Sequence, residues 1–535
     1  MSGVILENAN IILVALAVYM VFAIAVGVYF SRRIHDADDH VLAGRGLTFP
    51  FLVASITATW VCAGALMGAA GYAYLYGMQG VIYDPWAPFL TMIIIGVFLA
   101  YRLRRARYTT MVDFYEIRYG RIMSVCYMVM QMIGGLSWIA GQMVAMGIII
   151  NMTTGFSLEL SIIIATIAII LITYSGGLWA LSRLDAVALV LIVGGLAVLF
   201  PAVINAVGGW SNFVATARVY DDLPAFAMLP VAEPRGYLWY TGFYGISLYI
   251  GAWLGVGLGD TNCTTLTQRI LAAKDEKTAT AGFITSGFLY LLLGMMPVMI
   301  GIAIYTWGLR VRPDMAEYVL IWATSEFLPS WGGALFVLSV GAAILSTCGD
   351  NILVNSTLLG HNIYRYFKPN ANTKDTLKAV RFFIPIVGLF CMAIALFFGS
   401  VYKLIVFAGA VLLPTIVASY FGGLFWKKAN HKGAVWSFIT GSVSWVIFFV
   451  MVFPHTKEVN TGMLVRGEPW MEEAIWDGLY IAVIPAFIIS IATLVIVSLA
   501  TAESSPPKPV LDAEGNDLTD EPLFFWSKKK ATLVD

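Results

Sequence analysis

The chain has 535 residues, of which 59% are hydrophobic and only 12% charged. An ordinary soluble domain carries about 25% charged residues, so this composition, with a mean hydropathy of +0.82, excludes a globule whose main solvent is water. Lys plus Arg and Asp plus Glu both number 32, and no basic arm or zinc-finger spacing marks a nucleic-acid partner.

Taken in order, the residues before Ala9 have no basic stretch or signal-peptide pattern, so the first apolar run is expected to remain as a helix. A bilayer needs about 20 apolar residues per helical crossing. Thirteen runs meet that length, near 8–30, 49–77, 80–101, 122–150, 157–177, 184–206, 238–260, 278–307, 329–361, 380–399, 404–426, 433–453 and 475–500. Lipid offers a backbone no hydrogen-bond partner, so these runs are predicted to be helices and the protein an all-α polytopic membrane protein. Of the 32 basic residues, 25 fall on one set of loops, including Arg102 to Arg121, Arg269 to Lys277 and Lys427 to Lys432, and 7 on the other. The positive-inside rule then puts the amino terminus outside and the tail in the cytoplasm. Two outer connections, 207–237 and 454–474, are long enough for short interfacial helices. The tail, 501–535, is Pro-rich and then acidic, and reads as a solvated extension. Its Phe524-Phe525-Trp526 and Lys528 to Lys530 suit either a membrane-resting patch or a frayed end.

Some of these helices carry more than lipid filler. Residues 54–71 crowd small and hydroxyl side chains into the second run, which suits close packing or a break that frees carbonyls. Gly251, Gly255, Gly257 and Gly259 precede Asp260 in the same manner. In the ninth run Ser346 and Thr347 adjoin, with Asp350 close behind. Hydroxyls there either face an ion with freed carbonyls or bond their own helix one turn back. Asp185 stands just after Arg183, where a helix dipole alone favours an acid. Asp260 and Asp350 are pathway candidates or acids paired near a helix end. Trp60 and Trp138 lie amid small residues and offer flat faces to a solute or cation, or pack as ordinary core.

Neither a nucleotide-binding loop, HExxH nor GxSxG occurs, and five scattered histidines do not form a metal site. The five cysteines, without a CxxC pair, read as small buried side chains. The expectation is a carrier that is not an enzyme, driven by an ion gradient. A proton-coupled carrier and a membrane solute sensor are the alternatives.

The stretch Thr57-Ala58-Thr59-Trp60-Val61 has a familiar look, as do Tyr108 to Asp113, Tyr174 to Leu178, Gln268-Arg269, Ala343 to Asp350 and Asn362-Ile363-Tyr364. Together they make the chain, over roughly 8–500, resemble the sodium:solute symporter family, nearest in look to its high-affinity choline transporter branch. The resemblance implies a LeuT-like 5+5 inverted-repeat core, with repeats at about 49–206 and 238–426, and alternating access coupled to Na+. It implies a sodium site from the carbonyls of Ala58, Val61 and Ala343 with the hydroxyls of Ser346 and Thr347. Asp185 matches a family acid near a second ion route, although the Gln usual three positions later is Ala188; Asp350 joins it as a candidate for that route. Trp60 and Trp138 match two positions of the family's choline cage, and the third tryptophan is Cys263 here. Asp260, nearly one turn earlier, offers charge in its place. A small organic cation or zwitterion fits that set; an anion would meet like charge at Asp260, and a sugar asks for more polar side chains. The implied setting is the cell membrane, with a small-molecule substrate, sodium and lipid as partners.

Overall fold

The computed structural model describes residues 9–31, 41–219, 224–232, 235–368, 370, 372–464, 470–518 and 526. The expectations for Met1 to Glu7, for Phe524 and Phe525, and for Lys528 to Lys530 fall outside the described residues. Helices make up nearly all of the structure, and β-pairing among the described residues is limited to isolated bridges.

Eleven described helices are long and apolar enough to cross a bilayer, where the sequence led us to expect thirteen. The difference has two local causes. The run expected at 49–77 is cut: Phe49–Trp60 is a short apolar helix, and winding resumes in a stretch counted as Gly64–Ala106. Leu158–Ala206 is a single run kinked at Gly177, whose φ of 54° favours glycine, and Leu158–Tyr174 becomes the second short apolar piece.

Burial sorts the helices by composition. Ser330–Thr357, the run with the adjacent hydroxyls, is buried along most of its length, whereas Val443, Val446, Ile447 and Val450 on His431–Leu464 are exposed. That is the order a bilayer imposes, since branched apolar chains face lipid at no cost and small or hydroxyl residues let helices approach. The last two helices, His431–Leu464 and Trp470–Ala500, are joined by hydroxyl contacts, Ser437 to Ser490 at 2.9 Å and Thr440 to Thr493 at 3.0 Å.

One expectation about the long connections holds, while another, and that for the tail, need correction. The connection at 207–237 does hold a short helix, Gly209–Thr216. The stretch 454–474, however, is mostly helix: His431–Leu464 runs through Pro454, and Trp470–Ala500 covers the end of the stretch. Asn460 explains the extension, because its amide donates to Tyr240 Oη at 2.8 Å and to Asp477 at 3.2 Å. The first part of the tail is not a free extension either. Val510 and Leu518 are buried, Ala513 N–H donates to the Ala106 carbonyl at 2.9 Å, and Tyr108 and Arg118 donate to the carbonyls of Leu511 and Lys508. Proline removes donors but leaves carbonyls, and this Pro-rich strip uses its carbonyls to dock.

Candidate functional site

Two helices break inside the bundle. Phe49–Trp60 ends where Val61 leaves helical geometry (φ −76°, ψ 65°), and a wider turn at Gly64–Gly68 restarts it. Gly242–Gly257 gives way to one tight turn, Gly259–Asn262, before Thr264–Ala272. A Cβ on Gly259 would overlap the Gly409 carbonyl, so the second break requires glycine there.

A broken helix in a bilayer leaves backbone groups that something must satisfy. One helix, Arg121–Thr154, does so at both breaks. Gln142 accepts from the Ala63 N–H at 3.1 Å and donates to Cys62 Sγ at 2.8 Å. Gln131 accepts from the Thr264 N–H at 3.1 Å and donates to the Asn262 carbonyl at 3.0 Å. The two glutamines stand about three turns apart on one helix face. Sequence reasoning passed over both, since an amide inside an apolar run points to a backbone partner only once the break beside it is known.

Trp60, Trp138, Asp260 and Cys263 line one cavity, together with Gln131, Thr264 and Asn351. The two indole rings meet edge to face, centroids 4.4 Å apart. Asp260 is 1% exposed. Among the described residues, neither indole N–H has an acceptor, and Asp260 Oδ2 has no hydrogen-bond partner. Thr264 also lines a second cavity with Thr109, Thr110 and Gln268. Beyond the other half of the first broken helix, Tyr72 and Tyr402 close together, centroids 4.2 Å apart, and Tyr402 donates to the Gly80 carbonyl.

Near the first break, Thr347 Oγ1 donates to the Thr59 carbonyl at 3.1 Å, tying Ser330–Thr357 to the end of Phe49–Trp60. Ser346 Oγ instead donates to the Ala343 carbonyl of its own helix at 3.1 Å. Ala58, Val61 and Ala343 are fully buried, and the Thr57 hydroxyl beside them is buried without a partner among the described residues.

Asp185 and Asp350 come together through a residue assigned from sequence to a basic loop. Arg269 has no exposed surface. It pairs with Asp350 through Nη2, lies 3.8 Å from Asp185, and donates to the hydroxyls of Ser55 at 3.2 Å and Thr59 at 3.1 Å. Those hydroxyls donate onward, Ser55 to Asp185 at 2.6 Å and Thr59 to Asp350 at 3.0 Å. Its place in the loop tally is therefore corrected. The nearby Lys274 and Lys277 made the whole segment look solvated, but Thr264–Ala272 carries Arg269 inward before they begin.

An all-helical bundle with two interrupted helices beside a shared cavity defines a membrane carrier of the secondary-transport type. The family model "Sodium:solute symporter family" matches residues 40–441, and the chain belongs to that family. High-affinity choline transporter 1 of Caenorhabditis elegans is 24% identical over 461 residues, covering 81% of this chain and 76% of that protein. The sodium/glucose cotransporter of Vibrio parahaemolyticus is 25% identical over 512 residues, covering 88% of each. A solved Na+-coupled sialic acid symporter in a substrate-bound outward-open state superimposes with a TM-score of 0.74 at 18% identity, covering 94% of this chain and 99% of that one. At that identity the likeness is one of fold. The protein is thus a sodium-coupled symporter of a small organic solute, with a LeuT-like core, embedded in a membrane.

Proposed function

We propose that the solute is a small organic cation or zwitterion and that it binds in the cavity of Trp60, Trp138, Asp260 and Cys263. The observation that carries this reading is the Asp260 carboxylate, buried at the cavity wall with one oxygen unpartnered beside two tryptophans. A buried carboxylate is costly without a counter-charge. A desolvated cation over an aromatic face gains about 2 kcal/mol, so a cationic group answers both needs. Support also comes from the curated choline transporter relative, although the sodium/glucose relative keeps the solute open by likeness alone.

Sodium, carried as co-substrate, would take the carbonyls of Ala58, Val61 and Ala343 with the hydroxyls of Ser346 and Thr347. The Thr347 contact at the helix break supports that placement, because a hydroxyl and freed carbonyls are the hard oxygen donors sodium needs. Asp185 and Asp350 then form a neighbouring ion route, bridged by Arg269. The cycle is alternating access: sodium favours the outward-open form and completes the solute site, the core rocks, and both leave inward. The membrane potential adds about 2.3 kcal/mol per charge per 100 mV. We place the protein in the cell membrane, amino terminus outside and tail in the cytoplasm, without enzymatic activity, with repeats at about 49–206 and 238–426 inside a transport domain, 1–500.

The test is thermal stabilisation of the purified protein by choline-like, amino-acid, sugar and carboxylate solutes, each in sodium and in potassium. A cationic or zwitterionic hit that requires sodium is expected. A sugar or carboxylate hit overturns the solute class, and a hit equally strong in potassium overturns the sodium site.

A further inference from the structure

The docked part of the tail is a folded element. Leu518 N–H donates to the Val510 carbonyl at 2.7 Å and Asp512 N–H to the Asn516 carbonyl at 2.9 Å, so 510–518 is a small antiparallel hairpin. The Asp512 carboxylate fixes its turn by accepting from the N–H groups of Glu514 at 3.0 Å and Asn516 at 2.7 Å. A two-stranded hairpin is marginal alone. This one buries Val510 and Leu518, which supplies the apolar support it lacks by itself.

What the hairpin holds is the corner between Ala100–Ala106 and Met111–Tyr119. Ala513 N–H donates to the Ala106 carbonyl at 2.9 Å just before the corner. The Tyr108 hydroxyl donates to the Leu511 carbonyl within it, and Arg118 donates to the Lys508 carbonyl beyond it. Arg45, from the segment before Phe49–Trp60, fastens the same corner by donating to the carbonyls of Arg107 at 2.9 Å and Tyr108 at 3.1 Å. Between these contacts Arg107 has a φ of 55°, a left-handed conformation that persists in a residue with a side chain only where its surroundings hold it.

The corner leads directly into Thr109, Thr110 and Met111, which form one wall of the second cavity. Thr264 lines that cavity and the Trp60–Trp138 cavity alike, so the second continues the first toward the face of the bundle that carries the tail. We propose that the hairpin is a strap that holds this wall in place, and that its release from the corner opens the path between the Trp60–Trp138 cavity and the tail-bearing face. A strained corner under a detachable hairpin is a two-state element. The docked tail thereby brakes solute release on that side. The brake rests on the solute site proposed above; the strap is tested without any solute.

The test uses the full chain in nanodiscs. A small water-soluble methanethiosulfonate is applied and modification of the native cysteines is followed by mass spectrometry, with backbone hydrogen exchange at 508–518 read in parallel. Cys263 reports the Trp60–Trp138 cavity, and Cys348, fully buried in Ser330–Thr357, reports general loosening. Val510→Asp/Leu518→Asp places two charges where apolar side chains dock and should free the hairpin. Ala513→Pro removes the donor to Ala106 at a turn position that proline suits. Both variants should exchange faster in the hairpin and be modified at Cys263 about five- to tenfold faster, the size of one net hydrogen bond, with Cys348 as slow as in the parent. The proposal is overturned if the hairpin exchanges faster while Cys263 reacts at the parent rate, or if Cys263 and Cys348 accelerate together. It is equally overturned if neither variant frees the hairpin, since these contacts then do not hold it.

Discussion

Arg269 and Asp350 lie 81 positions apart in the chain and form an ion pair with no exposed surface at either side chain. Asp185 approaches the same guanidinium nitrogen at 3.8 Å, so one cation serves two carboxylates. Three separate helices thereby meet at one charge: Thr264–Ala272 after the second break, Ser330–Thr357, and Leu158–Ala206. Removing the cation strands two acids. Arg269→Gln should destabilise the protein by about 3–5 kcal/mol, the range for breaking a buried pair by deleting one partner. Arg269→Gln/Asp350→Asn should recover part of that loss, because only Asp185 then remains charged. Thermal unfolding of the single and double variants checks it; a double variant no more stable than Arg269→Gln alone would show that the pair is not coupled as the geometry says.

That ion pair also marks what the sequence made legible and what it hid. Asp350 stood out because a carboxylate within an apolar run has few neutral explanations, whereas Asp185, which a helix dipole alone would explain, came in through its match to a family acid. Trp60 and Trp138, from two helices, and Asp260 and Cys263, from the break in a third, all reach one cavity. Their small neighbours had suggested close approach. Arg269 was hidden because charge in sequence shows neither depth nor direction, and the following lysines imitated a loop. Gln131 and Gln142 were hidden for another reason: an amide becomes informative only once a backbone break beside it is known. The tail misled through composition, since Pro-rich segments look solvated until their carbonyls find donors such as Arg118.

The two glutamines carry the next prediction. Gln142→Leu removes the acceptor of the Ala63 N–H, and Gln131→Leu removes that of the Thr264 N–H, at nearly constant volume. An unsatisfied buried donor costs about 1–3 kcal/mol. Each variant should therefore melt earlier than the parent. A leucine at either position without effect on melting would mean that the broken backbone does not depend on that amide.

At the proposed sodium site, Thr347 is the residue whose hydroxyl reaches across to the broken helix. Thr347→Ala should raise the sodium concentration for half-maximal uptake about tenfold, equivalent to about 1.4 kcal/mol, whereas Thr347→Ser should keep most of the sodium response. Ser346→Ala should add to the Thr347→Ala defect if both hydroxyls ligate the ion. Sodium-dependent uptake in vesicles, measured at fixed solute, separates these cases. An unaltered sodium response in both alanine variants removes the two hydroxyls from the site.

The orientation can be read with a membrane-impermeant maleimide in intact cells. Leu229 is 65% exposed in the long connection assigned to the outside, and Glu503 is exposed at the start of the tail assigned to the inside. Leu229→Cys should label in intact cells and Glu503→Cys only after permeabilisation. The opposite pattern would invert the topology.

The cavity itself supplies the most discriminating prediction, because charge and ring face act on different parts of a bound solute. Asp260→Asn keeps the shape of the side chain and removes its charge, so it should abolish preference for a cationic solute over its neutral isostere. Trp60→Ala should weaken a cationic solute by about 2 kcal/mol, the upper end for a desolvated cation over an aromatic ring. Trp60→Phe, which keeps a ring, should lose less. Equilibrium binding of an amine and of its uncharged analogue to each variant resolves the two contributions. Unchanged amine affinity in Trp60→Ala sinks the cage. Unchanged discrimination in Asp260→Asn sinks the counter-charge.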